Sequence, residues 1–292
     1  MNAIKSIYLC PNGGKDDGFT VSREVAGFLL DRGATVAVPD ALLPAFAGIS
    51  VRRISESPDP ELILTLGGDG TVLAASSDAL ARDIPLLGIN MGRLGFLAEL
   101  ETDQLSKLEA LFTGDYTVTY RMTLSVSVDL GEGETPLTQN PLNDVVFSHD
   151  RGDGLTMLEL RDQNDNVILY HADGLIIATP SGSTAYTLSA GGPIVDDSMD
   201  ALCVTPVCPH SFFNRSVIFG RNTVLSVENR SPYGRDAIVS LDGRECLRLP
   251  FGSVLTVKPS NRPLKMLCLD RHAVLSTLNR KMQMADMKYR SE

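Results

Sequence analysis

The chain has 292 residues but no tryptophan, four histidines and five cysteines. Each scarcity excludes something. Cys10, Cys203, Cys208, Cys246 and Cys268 are odd in number, scattered, and never spaced C-x-x-C. That argues against a disulfide framework or a zinc site and fits a reducing compartment. His149, His171, His210 and His272 show no metal-ligand spacing. No stretch approaches the roughly 20 apolar residues of a membrane helix. The opening Met1-Asn2-Ala3-Ile4-Lys5 lacks the basic region and apolar core of a secretory signal. A cytoplasmic protein with no membrane partner is therefore expected. The net charge of −10 has the wrong sign for nucleic acid as main partner. A chain this anionic must concentrate donors locally if it is to bind phosphate.

What is present is ordinary globular composition, 43% hydrophobic and 21% charged, enough for one large or two modest domains. The first part alternates strand and helix. Ile7-Tyr8-Leu9, Thr35 to Val38, Leu62 to Leu66 and Pro85 to Ile89 read as strands. Val21, Val25, Phe28 and Leu29 line a helix that stops at Gly33, and Leu105, Leu108, Leu111 and Phe112 mark another, with Thr102 as its cap. This pattern predicts an α/β domain with a parallel sheet over residues 1–120. From Tyr120 the pattern changes. Leu124, Val126, Val128 and Leu130 alternate with polar residues, and short strands separated by turns recur to about Pro259. An all-β, sandwich-like domain is expected over 121–269. A helix over 270–292 is expected to return to the first domain.

Gly67-Gly68-Asp69-Gly70-Thr71 joins the buried strand at Leu62 to the helix that starts near Val72. Glycines let the backbone approach a ligand, and free amides with the helix dipole favour phosphate. Asp69 would repel that phosphate, so it has another task. Accepting a proton from a hydroxyl nucleophile and holding Mg²⁺ are the two obvious ones. A plain turn with Asp as cap is the bland alternative.

Other segments add to it. Asn90 to Leu97 follows a strand and is studded with glycine; Arg93 suits phosphate, and Phe96 suits stacking on a ring. Asn143-Asp144 opens an apolar run, as a turn former or as a reader of base edges and ribose hydroxyls. The richest segment runs from Asp173 through Thr179-Pro180-Ser181-Gly182-Ser183-Thr184-Ala185-Tyr186 to Ser189 and Pro193. Its small hydroxyl residues suit a nucleotide. Ser181 and Ser183 raise a nucleophile reading, but no G-x-S-x-G elbow surrounds them. His171 lies two residues before Asp173. Asp242-Gly243 reads as a hairpin turn.

Taken in this order, these segments resemble the NAD kinases. The GGDGT turn alone is shared with phosphofructokinases and with diacylglycerol and sphingosine kinases. The Thr179 to Tyr186 stretch is far more specific. The resemblance implies phosphorylation of the adenosine ribose 2′-hydroxyl of NAD to give NADP, a divalent metal, ATP or another phosphoryl donor as co-substrate, and a homodimer or homotetramer. It casts Asp69 as the base and Gly67, Gly68, Gly70, Thr71 and Arg93 as phosphate contacts. Phe96, Asn143, Asp144, His171, Asp173, Ser181, Thr184, Ala185, Tyr186, Ser189 and Asp242 are the expected NAD contacts. Asp242 would come from the sandwich domain or a neighbouring subunit. No protein-made metal cage is visible, so Mg²⁺ is expected to arrive mainly with the donor phosphates. Two departures stand out. The family's Asn-Glu pair is Asn143-Asp144 here, one methylene shorter, and Arg215 is followed by Ser216 where proline is common. A lipid kinase and a non-catalytic NAD(P) sensor are the rival readings.

Overall fold

The apolar runs of the first 120 residues assemble side by side in one parallel sheet. The computed structural model describes residues 2–57, 59–92, 95–128, 137–150, 155–210, 214–269 and 278–279. Contacts divide the chain into two units, Met1–Tyr120 with Leu264–Glu292, and Arg121–Pro263.

In the first unit the strand Leu62–Gly67 is buried at every residue. Such a continuous run suits a sheet covered on both faces. The strand order is Arg52–Arg53, Thr35–Val38, Ser6–Pro11, Leu62–Gly67, Leu86–Asn90, Leu264–Cys268 and Thr117–Arg121, with Leu100–Glu101 also on Leu86–Asn90. Neighbours from Arg52–Arg53 to Leu264–Cys268 pair in parallel. Winding runs outward from Ser6–Pro11 on one side and from Leu62–Gly67 on the other. The chain therefore reverses direction between these two strands, where open α/β sheets bind ligands at strand carboxyl ends.

Helix Thr20–Asp31 buries Val25, Ala26 and Leu29 and ends before Gly33, whose φ of +83° a side chain would strain. Helix Asp69–Arg82 follows the glycine turn. The helix expected from Thr102 forms instead as a tight 3₁₀ segment, Thr102–Glu109, running into a short α-helix, Ala110–Thr113. Non-helical backbone at Gln104 breaks it, and Glu101, not Thr102, holds the cap position. Leu108 and Leu111 are nevertheless fully buried.

The second unit has two six-stranded sheets with antiparallel pairings. Leu124–Val128 alternates buried and half-buried residues, as a strand with one core face must. Val126, Leu158, Val227 and Leu255 of one sheet share a core with Phe147, Ile177, Val204 and Val239 of the other. Asp242 and Gly243 take φ of +49° and +77° between strands Ala237–Leu241 and Arg244–Leu249, the mirror-image turn a hairpin prefers.

One expectation about boundaries differs from what is seen. Leu264–Cys268 was expected in the β domain to 269, but it joins the parallel sheet beside Leu86, because alternation alone does not say which sheet a strand enters. The expected helix over 270–292 lies outside the described residues apart from Leu278 and Asn279. Among the described residues no helix is long and apolar enough to cross a membrane.

Candidate active site

Three neighbouring parallel strands, Ser6–Pro11, Leu62–Gly67 and Leu86–Asn90, deliver their carboxyl ends to one cavity of about 500 Å³. Asn12 and Lys15 come from the first, Gly68 to Thr71 from the second, Asn90 and Gly95 from the third. Asp69 is the first residue of its helix. Its carboxylate accepts the Phe96 amide at 2.8 Å and the Leu97 amide at 3.0 Å. Two fixed donors orient it against the 95–97 loop. Gly95 allows this approach, because a Cβ there would lie 2.0 Å from Asp69 Oδ1.

The turn is laced from within. The Asn12 amide donates to Leu66 O at 2.9 Å, and Asn12 Nδ2 donates to Thr71 Oγ1 at 3.0 Å. The Thr71 amide donates to Gly68 O at 2.8 Å. The expected donation of that amide to phosphate is thus pre-empted by the turn itself. Gly67 closes its strand, where its carbonyl accepts the Met91 amide at 2.6 Å, and it is not among the residues lining the cavity. Gly70 stays suited to an anion: it is the second residue of the helix, where an amide has no carbonyl of its own helix to donate to. Arg93 lies outside the described residues.

Asn90 is 2% exposed. Its Nδ2 donates to Glu101 Oε2 at 3.0 Å, and since an ionised carboxylate only accepts, this sets which way the amide faces. Asn90 Oδ1 is left buried without a partner, 4.0 Å from where a Gly68 Cβ would sit.

The second unit gathers another cluster at one end of strands Asp144–His149, Gly174–Ala178 and Ala237–Leu241. The Asp242 carboxylate accepts the amides of Leu142 at 2.9 Å, Asn143 at 2.7 Å and Asp144 at 3.2 Å. Thr179 donates its hydroxyl to Leu142 O at 2.6 Å and its amide to Asn143 O at 2.8 Å. Gly182 packs so closely that a Cβ would lie 2.1 Å from Asn143 O. The segment then turns through Ser181–Thr184 into the short helix Tyr186–Ser189. Asn143 and the Ser181–Thr184 turn are therefore brought together, with Ala185 and Tyr186 following the turn. Tyr186 is 45% exposed, so its ring is not a core ring. Ser189 is exposed at the helix end. Ser183 is buried, donating to Pro180 O at 2.6 Å and accepting the Val195 amide at 3.0 Å, which removes it as a nucleophile.

Asp144 is almost completely buried. Loss of water, and then the nearby Asp242, pushes its carboxyl up to about 7. Burial also raises Asp242, against the three amides that favour its charge. Asn143 Oδ1 is buried and unpartnered. Asp242 has a role the hairpin reading did not foresee: its two oxygens hold the backbone of Leu142, Asn143 and Asp144 in place. His171 and Asp173 fall elsewhere. They precede strand Gly174–Ala178, whereas Ser181 to Tyr186 follow it, a separation of about 17 Å at the usual rise of a strand.

Asn12 and Lys15 also line the cavity, although neither was expected at the site. The signal was there: Asn12-Gly13-Gly14-Lys15 also follows a strand.

A cavity at parallel strand ends, with an oriented carboxylate at a helix start, is the architecture of a phosphotransferase. Residues 7–116 match the family model of the ATP-NAD kinase N-terminal domain, and residues 142–269 that of the ATP-NAD kinase C-terminal domain. The chain belongs to the NAD kinase family. It is 34% identical over 284 residues to the NAD kinase of Natranaerobius thermophilus, covering 96% of this chain and 98% of that protein. To the NAD kinase of Geobacter sulfurreducens it is 40% identical over 199 residues, 68% of this chain and 69% of the relative. In fold it is similar to yeast NADH kinase complexed with NADH, with a TM-score of 0.83 at 22% identity over 96% of this chain and 87% of that one. An NAD kinase from Archaeoglobus fulgidus in complex with ATP gives 0.66 at 22% identity over 90% and 93%.

Proposed function

We propose that this chain transfers the terminal phosphate of ATP, or of another phosphoryl donor, to the adenosine ribose 2′-hydroxyl of NAD, giving NADP. One observation carries the reading: Asp69, held by the Phe96 and Leu97 amides, faces a polar cavity at a helix start. A ribose hydroxyl is a poor nucleophile at neutral pH. As its oxygen bonds to the terminal phosphorus, Asp69 takes the proton, and the bond from that phosphorus to the bridging oxygen breaks, releasing ADP. The Gly70 amide and the helix dipole stabilise the transferring phosphate. The relatives solved with NADH and with ATP support the two substrates.

The described residues contain no group of three His, Cys, Asp or Glu side chains fit to hold a metal. The orphaned Asn90 Oδ1, a neutral oxygen of a cavity residue, fits a divalent ion that comes with the donor. Mg²⁺ there would screen phosphate charge.

Asn143, Asp144, Ser181, Thr184, Ala185 and Tyr186 hold the dinucleotide in this reading, with Phe96, His171, Asp173 and Ser189 as further contacts. A cytoplasmic homodimer or homotetramer that supplies NADP completes it. Purified protein incubated with NAD, ATP and Mg²⁺ should yield NADP by chromatography. NADP binding without turnover would favour a sensor, and phosphorylation of diacylglycerol or sphingosine instead would favour a lipid kinase.

A further inference from the structure

We propose that the Lys15 ammonium grips the phosphate chain of the phosphoryl donor, an inference that rests on the reaction just given. A polyphosphate entering this cavity meets the Asp69 carboxylate in a chain of net charge −10. It needs a local cation. Among the described residues lining the cavity, Lys15 alone supplies one. It takes part in none of the ion pairs among the described residues.

Its backbone is pinned on both sides. The Lys15 and Asp16 amides donate to Asn12 O at 2.9 and 3.0 Å. Asn12 in turn is tied to the catalytic turn through Leu66 O and the Thr71 hydroxyl. On the other side Asp16, 2% exposed, accepts the amides of Val21 at 3.1 Å and Ser22 at 2.8 Å. This clamps the loop to the start of helix Thr20–Asp31. Only the lysine side chain is left to swing. Its Nζ lies 3.3 Å from where a Gly92 Cβ would be, so glycine keeps its path open. A lysine is a flexible point charge, suited to following a phosphate from donor to acceptor.

Titration calorimetry on the full chain tests this with Mg²⁺-ATP, inorganic tripolyphosphate and NAD. Lys15→Ala should weaken ATP and tripolyphosphate alike by about tenfold, the scale of one charge-assisted contact. NAD affinity and melting temperature should hold, and Lys15→Arg should keep most of the polyphosphate affinity. In turnover, the KM for ATP should rise more than that for NAD. Wild-type affinity for both polyphosphates in Lys15→Ala would overturn the inference. So would a loss confined to ATP, which would point to the nucleoside, or an equal loss for NAD with a lowered melting temperature. Wild-type protein that makes no NADP sinks the reaction itself; wild-type turnover beside an unaltered Lys15→Ala sinks only the role of Lys15.

Discussion

The two units hold carboxylates in opposite surroundings. Asp69 sits at an open cavity, with two backbone amides directing its oxygens. Asp144 is buried, with Asp242 close enough to raise it further. The first arrangement leaves a carboxylate accessible from the cavity. The second makes ionisation costly unless a ligand brings donors. The same side chain thus meets water in one unit and is desolvated in the other, and desolvation favours its neutral form.

The sharpest break in this comparison is at Asp69. Asp69→Asn keeps an acceptor for one loop amide but removes the base, so kcat should fall by at least about 10²-fold. NAD affinity and melting temperature should stay near wild type. Near-normal turnover would end the base assignment.

In the second unit the first test is Asp242. Asp242→Ala strands the amides of Leu142, Asn143 and Asp144 and should cost about 2 kcal/mol of stability in denaturant unfolding. Asp242→Asn, which tolerates the positive φ and keeps one acceptor oxygen for the Asn143 and Asp144 amides, should recover part of it. If Asp242→Ala instead unfolds like wild type and loses only NAD affinity, Asp242 is a ligand contact after all.

Tyr186 offers a smaller effect. With its ring 45% exposed, Tyr186→Ala should leave melting nearly unchanged. The apparent NAD constant should rise by on the order of tenfold, about 1.4 kcal/mol. A lowered melting point with an unchanged constant would reverse the assignment.

The pH dependence is the subtlest. Asp144 is raised in the folded state, so between the ordinary carboxylate range and about 7 the native protein holds a proton the unfolded chain has lost. That contribution is complete at low pH and disappears as pH rises through about 7. Without ligand, wild type should lose on the order of 1 kcal/mol between pH 6 and pH 8. Asp144→Asn should show a flatter profile. An identical slope in the two proteins would mean that Asp144 is already ionised in the native state.

Much of the fold was legible. The run at Leu62 to Leu66 is a fully buried strand, and alternation at Leu124 to Val128 marks a half-buried one. The 3₁₀ backbone at Thr102–Glu109 was not, because its apolar spacing also fits an α-helix and spacing does not show the non-helical backbone at Gln104. Within the site, Asp69 announced itself by being the wrong charge in a phosphate turn. Lys15 did not, since a lysine in a polar loop is the commonest of surface residues. Asp242 looked like a turn former, and so it is. Nothing local says that its oxygens reach amides about a hundred positions away.

By itself the sequence determined the local chemistry: which strand runs into a glycine turn, that a carboxylate begins the helix, and that a hydroxyl-rich segment follows Asp173. These depend on neighbours in the chain, on backbone freedom and on the period of apolar residues. Only the tertiary structure decided which turns meet. Strand order places the ends of Ser6–Pro11, Leu62–Gly67 and Leu86–Asn90 side by side, so Asn12, Lys15, Asp69, Asn90 and Gly95 share one cavity. It likewise set the burial of Asp144 beside Asp242, and with it the raised carboxyl. Sheet order and desolvation are sums over distant segments, and no window of sequence contains them.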